Sequence, residues 1–316
     1  MQERIRLGVS TCLLGESVRY DGGHKRDRFI TDTLAHYVNL VPVCPEVECG
    51  LSIPREAMRL VGDDDSPRLM TQKTGIDYTE QMQQWARGRL RELEKENLRG
   101  FIFKSQSPSS GMERVKVYND SGMARKTGVG VFARAFMVHF PLVPVEEEGR
   151  LHDMNLRENF IQRLFAFDRW HRTRQSRPGG AGLMEFHARH KLMLMAHEVK
   201  AVSELGRMIA QAQGESVEEI ADAYIERFMS AMAKRATRAK NTNVLMHILG
   251  YFKKQLTAEE KQEALELIEQ YRQGHLPLIV PITLFNHYVR KYDQQYLREQ
   301  EYLNPGPWEL QLRNHA

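Results

Sequence analysis

Cys12, Cys44 and Cys49 are the only three cysteines in a chain of 316 residues, and all fall within its first 49 positions. An odd number, crowded at one end, is not a disulfide scaffold. Cys44 and Cys49 are spaced C-x4-C, and Cys12 lies 32 residues before Cys44. A helical C-x4-C would put both sulfurs on neighbouring faces, but Pro45 and Gly50 favour a loop. Three thiolates converging on one point suit a metal or an iron–sulfur cluster that keeps one position open. Zinc is the rival, with His24 or His36 supplying a nitrogen. The plain alternative is that small buried cysteines act as apolar filler.

Converging thiols need a scaffold, and the first half reads as alternating strands and helices. Ile5–Ser10 is a short apolar run that ends in the loop holding Cys12, and Val38–Val43 is a second that ends at Cys44. Phe29–His36 reads as a helix, and Gln81–Asn97 as a long exposed one. Gly100–Phe103 is a third apolar run, entering the turn-rich SQSPSSG of Ser105–Gly111. Gly128–Phe140 has helical spacing, and Leu142–Val145 is a last strand. This alternation predicts an α/β domain, Rossmann-like with a mostly parallel sheet. Ligands of such sheets lie beyond the carboxyl ends of the strands, where Cys12, Cys44 and the SPSSG loop are each expected.

The acidic Glu146-Glu147-Glu148-Gly149 precedes a long helical pattern and divides the chain into 1–148 and 149–316. The second domain is expected to be all-α, with helices over 153–172, 183–213, 217–256, 258–273 and 282–301. Breaks are expected at Pro178-Gly179-Gly180, Gly214, 275–281 and Pro305-Gly306-Pro307. His187, His190 and His197 share roughly one helix face; a metal there is conceivable, and core or surface packing is the plainer reading. Lys234, Arg235, Arg238 and Lys240 place four cations in seven residues. Such a stripe can line up phosphates, whereas its bland reading is a solvated helix face.

Composition sets outer limits. Hydrophobic residues at 41% and charged residues at 27% are ordinary for a globular protein. A net charge of +4 permits a polyanionic partner without requiring one. No apolar run approaches the ~18 residues of a membrane helix, and MQERIRLGVS lacks the apolar core of a signal peptide. The expected location is the cytoplasm, with no membrane partner and no DNA. Oligomeric state is left open.

STCLLGESVRYDGG (Ser10–Gly23), VCPEVECGLSIPRE (Val43–Glu56) and FKSQSPSSG (Phe103–Gly111), in that order, resemble the TudS family of thiouracil desulfidases. LHDMNLRENFIQRLFAFDRW (Leu151–Trp170) and HARHKLMLMAH (His187–His197) are similar to the YbgA-type helical domain found fused to it. Such fusions, the RudS type, are tRNA 4-thiouridine desulfidases. The resemblance implies a 4Fe–4S cluster held by three cysteines with one open iron, used as a Lewis acid for non-redox, hydrolytic removal of sulfur. It implies tRNA as partner. Carried over by motif, the catalytic pair is Glu46 of Cys44-Pro45-Glu46 and Ser107 of the Ser-Pro-Ser loop; the bland role for Glu46 is a helix cap. Many relatives have cysteine where this chain has Ser110, and Cys49 stands where several have a small residue. With only three cysteines present, the ligand set implied is Cys12, Cys44 and Cys49; two cysteines completed by Ser110 is the other possibility. Ser109 and Ser110 compete with Ser107 for the catalytic role and are otherwise substrate contacts. Asp21 and Lys104 are further candidates for substrate binding, against a turn and a solvated strand end. Arg19 and Arg55 are similar cases. The resemblance makes RNA binding the favoured reading of Lys234, Arg235, Arg238 and Lys240. Alternative functions are desulfidation of free thiouracil or thiouridine nucleotides, and a non-enzymatic iron–sulfur RNA sensor.

Overall fold

Short apolar runs such as Gly100-Phe101-Ile102-Phe103, buried along their whole length, belong in the middle of a parallel sheet covered on both faces. The computed structural model describes residues 4–211, 217–307, 310 and 312–314. Its strands are β1 (Ile5–Ser10), β2 (Val38–Val43), β3 (Met58–Val61), β4 (Arg68–Thr71), β5 (Gly100–Phe103), β6 (Val115–Tyr118), β7 (Ala124–Gly128) and β8 (Val145–Glu147). The chain divides into two compact units, Met1–Asp153 and Met154–Ala316.

In the first unit, one sheet has the order β2-β1-β5-β8, and every neighbouring pair is parallel. Ser10 stands opposite Val43, and Phe103 opposite Glu147, so the four strands end along one edge. Gly8 is glycine for a steric reason: a β-carbon there would collide with the Phe101 ring. Phe101 stacks on Phe103 at 4.3 Å and meets Phe136 at 4.7 Å. Two helices cover this face, α2 (Thr79–Lys95) and α3 (Val131–His139). Met82, Ala86, Leu90 and Leu93 of α2 recur on one helical face and are all buried. Each large side chain so removed from water contributes roughly 1.5–3 kcal/mol.

A second sheet, β4-β3-β6-β7, is mixed: β3 pairs antiparallel with β4 and parallel with β6, and β6 pairs antiparallel with β7. It is absent from the sequence expectation. Its strands are four or five residues long, and β7 is the polar ARKTG, so neither length nor hydrophobicity marks it. The helix expected over 128–140 starts only at Val131, because Gly128 closes β7 and Gly130 caps α3 in an extended conformation. Phe29–His36 forms a π-turn and a 3-10 turn rather than one regular helix. The last strand begins at Val145 rather than at Leu142.

The second unit is helical: α4 (Met154–Ser176), α5 (Gly180–His197), α6 (Val199–Gln211), α7 (Val217–Ala233), α8 (Arg238–Tyr251), α9 (Ala258–Gln273), α10 (Ile279–Lys291) and a short α11 (Gln295–Arg298), with a four-residue α1 (Pro45–Glu48) in the first unit. The helix expected over 183–213 is two, broken where Glu198 turns extended, and Gly214 lies outside the described residues. The helix expected over 217–256 is also two. Thr237 adopts an extended conformation and its hydroxyl accepts the Lys240 N–H, which starts α8 afresh. The helix expected over 282–301 runs Ile279–Lys291 and then breaks before α11, with Asp293 at positive φ. Thr257 and Glu260 form a capping box on α9, and Gly274 ends that helix in the left-handed region. Trp170, Phe186, Tyr224 and Phe228 pack ring against ring in the interior. No helix among the described residues is long and apolar enough to cross a membrane.

Candidate active site

Because the first sheet is parallel, the residues following β1, β2, β5 and β8 emerge at one edge. They are Cys12, Cys44, Lys104 with Ser105, and Glu148. A cavity of about 400 Å3 lies there, lined among others by Cys12, Cys44, Glu46, Lys104, Ser107 and Ser110. The loop Ser105–Gly111 bends back over the sheet. Gln106 holds a left-handed φ of 58°, and the Gly111 N–H donates to the Ser107 carbonyl at 2.8 Å. Gly130 lets α3 sit against this loop, since a β-carbon there would lie 2.5 Å from the Ser109 carbonyl.

A chain of hydroxyls connects the carboxylate to the cavity. Ser109 Oγ donates to Glu46 Oε1 at 2.5 Å, and Ser109 and Ser107 Oγ are 2.8 Å apart. Ser109 is fully buried and does not line the cavity, whereas Ser107 does. Ser107 Oγ also accepts the Ser110 N–H at 3.1 Å, which fixes its place. On the other side of the carboxylate, Arg55 Nη2 stands 4.0 Å from Glu46 Oε2 and its Nη1 donates to the carbonyls of Val18 and Ser52. The set can pass a proton between a cavity-facing hydroxyl and a carboxylate.

The thiols are desolvated. Burial, reinforced by the nearby Glu46 carboxylate, pushes Cys12 up to about 11, Cys44 up to about 12 and Cys49 up to about 11. The nearby cations Arg19, Lys104 and Arg55 only partly offset this, and soft, largely desolvated sulfurs suit a metal centre that brings its own charge. Cys12 and Cys44 face the cavity together. Cys49 is the residue that ends α1 and lies outside the lining, with Sγ 3.3 Å from the Glu46 carbonyl, and it packs against the buried cluster that includes Leu60, Leu69 and Met82. Among the described residues, no three His, Cys, Asp or Glu side chains are grouped to hold a single metal ion. A cluster does not require this, because each cysteine binds a different iron at a different corner. The donor set therefore fits an iron–sulfur cluster at Cys12 and Cys44, with Cys49 one short turn away and Ser110 in the lining.

Lys104 is not solvated: its Nζ pairs with Glu148 and donates to Ser105 Oγ at 3.0 Å. Glu148 also accepts the Ser105 N–H at 2.7 Å, so one carboxylate organises both residues after β5. Glu148 was missed in the sequence, although its place just past a parallel strand was a usable signal. Lys25 and Gln72 also line the cavity without any motif to announce them. Asp21 stays outside the lining; it accepts the Gly23 N–H at 3.0 Å and faces Arg19 at 3.6 Å, which is the turn chemistry of Asp-Gly-Gly. Arg19 itself lines the cavity.

In the helical unit, His190 stacks on Phe186 at 4.0 Å, His187 meets Tyr224 at 3.1 Å and His197 Nδ1 donates to the Lys234 carbonyl at 2.5 Å, so all three serve packing. The four expected RNA-contacting cations are not one helical stripe, because the break before α8 separates them. Lys234 pairs with Glu198 at 2.6 Å, and Lys240 donates to the His197 carbonyl at 2.6 Å. Arg235 and Arg238 line a second cavity instead.

Comparison with known proteins places both halves. The 2-thiouracil desulfurase family matches residues 7–148, and a family described as a protein of unknown function, DUF1722, matches residues 191–307. The uncharacterized protein YbgA of Escherichia coli K12 is 30% identical over 165 residues, covering 51% of this chain and 98% of that protein. The uncharacterized protein YbbK of Bacillus subtilis 168 is 33% identical over 132 residues, covering 40% of this chain and 85% of that one. A solved [4Fe-4S]-dependent thiouracil desulfidase, TudS, aligns with a TM-score of 0.39 at 29% identity, over 49% of this chain and 97% of that chain. The chain thus belongs, through its first unit, to the 2-thiouracil desulfurase family of enzymes that break a carbon–sulfur bond, and it carries a YbgA-like DUF1722 domain behind it.

Proposed function

We propose that this enzyme removes sulfur from 4-thiouridine in tRNA, using an iron–sulfur cluster bound in the cavity beyond the first sheet. The wall of that cavity carries the reading. Two thiols, the Glu46 carboxylate and several hydroxyls share it with four cations, Arg19, Lys25, Arg55 and Lys104. Against the carboxylates of Asp21, Glu46 and Glu148, which face three of them, one positive charge is left over, which suits a phosphate-bearing substrate better than a free neutral base.

Cys12, Cys44 and Cys49 hold the cluster in this reading. Cys49 completes the set by giving up a weak S–H contact to the Glu46 carbonyl, and a thiolate binds iron more strongly than the Ser110 alkoxide would. When bound, a 4Fe–4S cluster with one open iron supplies a Lewis acid for the thiocarbonyl sulfur. The protein's own part is proton handling and placement. Ser107 presents a hydroxyl to the water that attacks the base carbon, and Ser109 passes the proton to Glu46 Oε1. Arg55 and Lys104 steady the negative charge of the nucleotide. A base within a folded tRNA must leave its stack to reach a strand-edge cavity.

Anaerobic enzyme with counted iron and sulfide, incubated with bulk tRNA, should erase the thiouridine absorbance and yield uridine. Equal rates on free 2-thiouracil and on tRNA would favour the free-base enzyme. A loaded cluster with no turnover of either would favour a non-enzymatic sensor.

A further inference from the structure

One wall of the active-site cavity comes from the loop that follows Cys12. Tyr20 of that loop lines the cavity yet is 44% exposed, whereas Cys12 and Cys44 are each 8% exposed. The thiols thus form the floor, and the tyrosine stands at the mouth. Among the described residues, every other exposed large apolar side chain lies outside this cavity. Single surface hydrophobics are ordinary, but an aromatic ring at the entrance of a ligand chamber is placed to meet what enters.

The backbone that carries this ring is tied down on both sides. The Tyr20 carbonyl accepts the Arg55 N–H at 2.9 Å, and the Val18 carbonyl accepts Arg55 Nη1 at 3.1 Å. Arg19 N–H donates to the Gly23 carbonyl at 3.2 Å, and Gly22 N–H to the Arg19 carbonyl at 3.0 Å. The Arg19 guanidinium lies over the Tyr20 ring, 5.4 Å from its centroid. Among the described residues, no second aromatic ring packs on Tyr20 and its hydroxyl has no hydrogen-bond partner. The ring is therefore held from one face by a cation, and its hydroxyl is not what fixes it.

A base that leaves its stack loses a flat neighbour, and an aromatic side chain can replace it. We propose that Tyr20 stacks on the thiolated pyrimidine while the sulfur of that base points toward the thiol floor. The occupant is the target base, because Tyr20 shares one chamber with Cys12 and Cys44, where the sulfur must go. Stacking acts on substrate and transition state alike, so its loss raises KM and leaves kcat almost unchanged. This inference rests on the desulfidase reading above and adds the side chain that holds the base.

The test uses the full chain, loaded anaerobically with iron and sulfide, and 4-thiouridine monophosphate, a substrate without a neighbouring base. Tyr20→Leu keeps apolar bulk but has no aromatic face. It should raise KM about 5- to 100-fold, the range of one lost base stack, with kcat within about threefold of the parent. Tyr20→Phe keeps the ring and should stay within about twofold in both. Iron content should be equal in every preparation. Equilibrium dialysis of uridine monophosphate needs no turnover, and its dissociation constant should rise in Tyr20→Leu by a similar factor. An unchanged KM and dissociation constant in Tyr20→Leu, or an equal loss in Tyr20→Phe, overturns the stack. An effect on thiolated tRNA that vanishes with the mononucleotide assigns the ring to a neighbouring base and overturns the target-base contact. A parent chain that binds uridine monophosphate through Tyr20 but releases no sulfur from either substrate upholds the stack and overturns the desulfidase reading instead.

Discussion

Ser109 Oγ donates to Glu46 Oε1 across 2.5 Å, linking the loop after β5 to the turn after β2. The two residues are 63 positions apart in the chain. Their contact makes Ser109 a relay rather than a surface of the cavity, and it hands the cavity-facing role to Ser107.

Ser109→Ala should therefore lower kcat by about 10- to 100-fold, up to the lower end of the range for lost acid–base assistance because Glu46 itself remains, with KM little changed. Ser107→Ala should do the same, and the double variant should cost hardly more than either single one, because both act in one chain. Iron and sulfide content should stay at the parent level. Steady-state kinetics on thiolated tRNA, with metal analysis of each preparation, decides the matter.

The cluster ligands can be separated by iron counting without any assay of turnover. Cys12→Ala and Cys44→Ala should each abolish reconstitution. Cys49→Ala is expected to do likewise, and Ser110→Ala to retain the cluster. Retention in Cys49→Ala with loss in Ser110→Ala would transfer the third corner to the serine that lines the cavity.

Glu148 organises Lys104 and the backbone of Ser105 from the end of β8. Glu148→Gln leaves the amino group without its counter-charge. The expected outcome is a several-fold rise in KM for a nucleotide substrate, together with a loss of about 1–3 kcal/mol in stability to urea. A variant unchanged in both would reduce this network to a strand-end decoration.

Stability of the helical unit should fall in mild acid. Burial, with the Lys240 and Arg313 charges also opposing protonation, holds His197 at about 4 against an ordinary 6.5, and burial lowers His187 to about 4 as well. Both are neutral in the folded state, so the unfolded chain takes up more protons below pH 6.5. Their stabilising effect is complete above that pH and is lost as pH falls through 4. For the fully buried His197 the effect is on the order of 3 kcal/mol. Urea midpoints between pH 7 and 4 should show the decline, and His197→Gln should flatten it. A parent protein with equal midpoints across that window would contradict the buried, neutral assignment.

The first sheet was legible because β1 and β5 are buried along nearly their whole length and β2 keeps its inner face apolar, so that IRLGVS, VNLVPV and GFIF read as largely apolar runs. The second sheet was not, since ARKTG in β7 has no apolar signature and is held by pairing with β6. The helix break at Thr237 was likewise hidden among good helix formers. It depends on a single hydroxyl capping Lys240, a choice that periodicity does not register.

Residue types and order by themselves determined which groups could do the chemistry: three thiols near the start, a carboxylate two places after the second, and a run of serines after the third strand. Parallel pairing then had to bring the ends of those strands to one edge, and that much followed from the alternation of strand and helix. Only the tertiary structure decided the division of labour. It turned Ser107 into the cavity and Ser109 toward Glu46, set Asp21 aside in its own turn, and left Cys49 at the end of α1 outside the lining. In the same way it tied Lys234 and Lys240 and left Arg235 and Arg238 facing a cavity. The physical reason is that a side chain's role depends on which partners reach it within about 3 Å, and those partners come from distant parts of the chain.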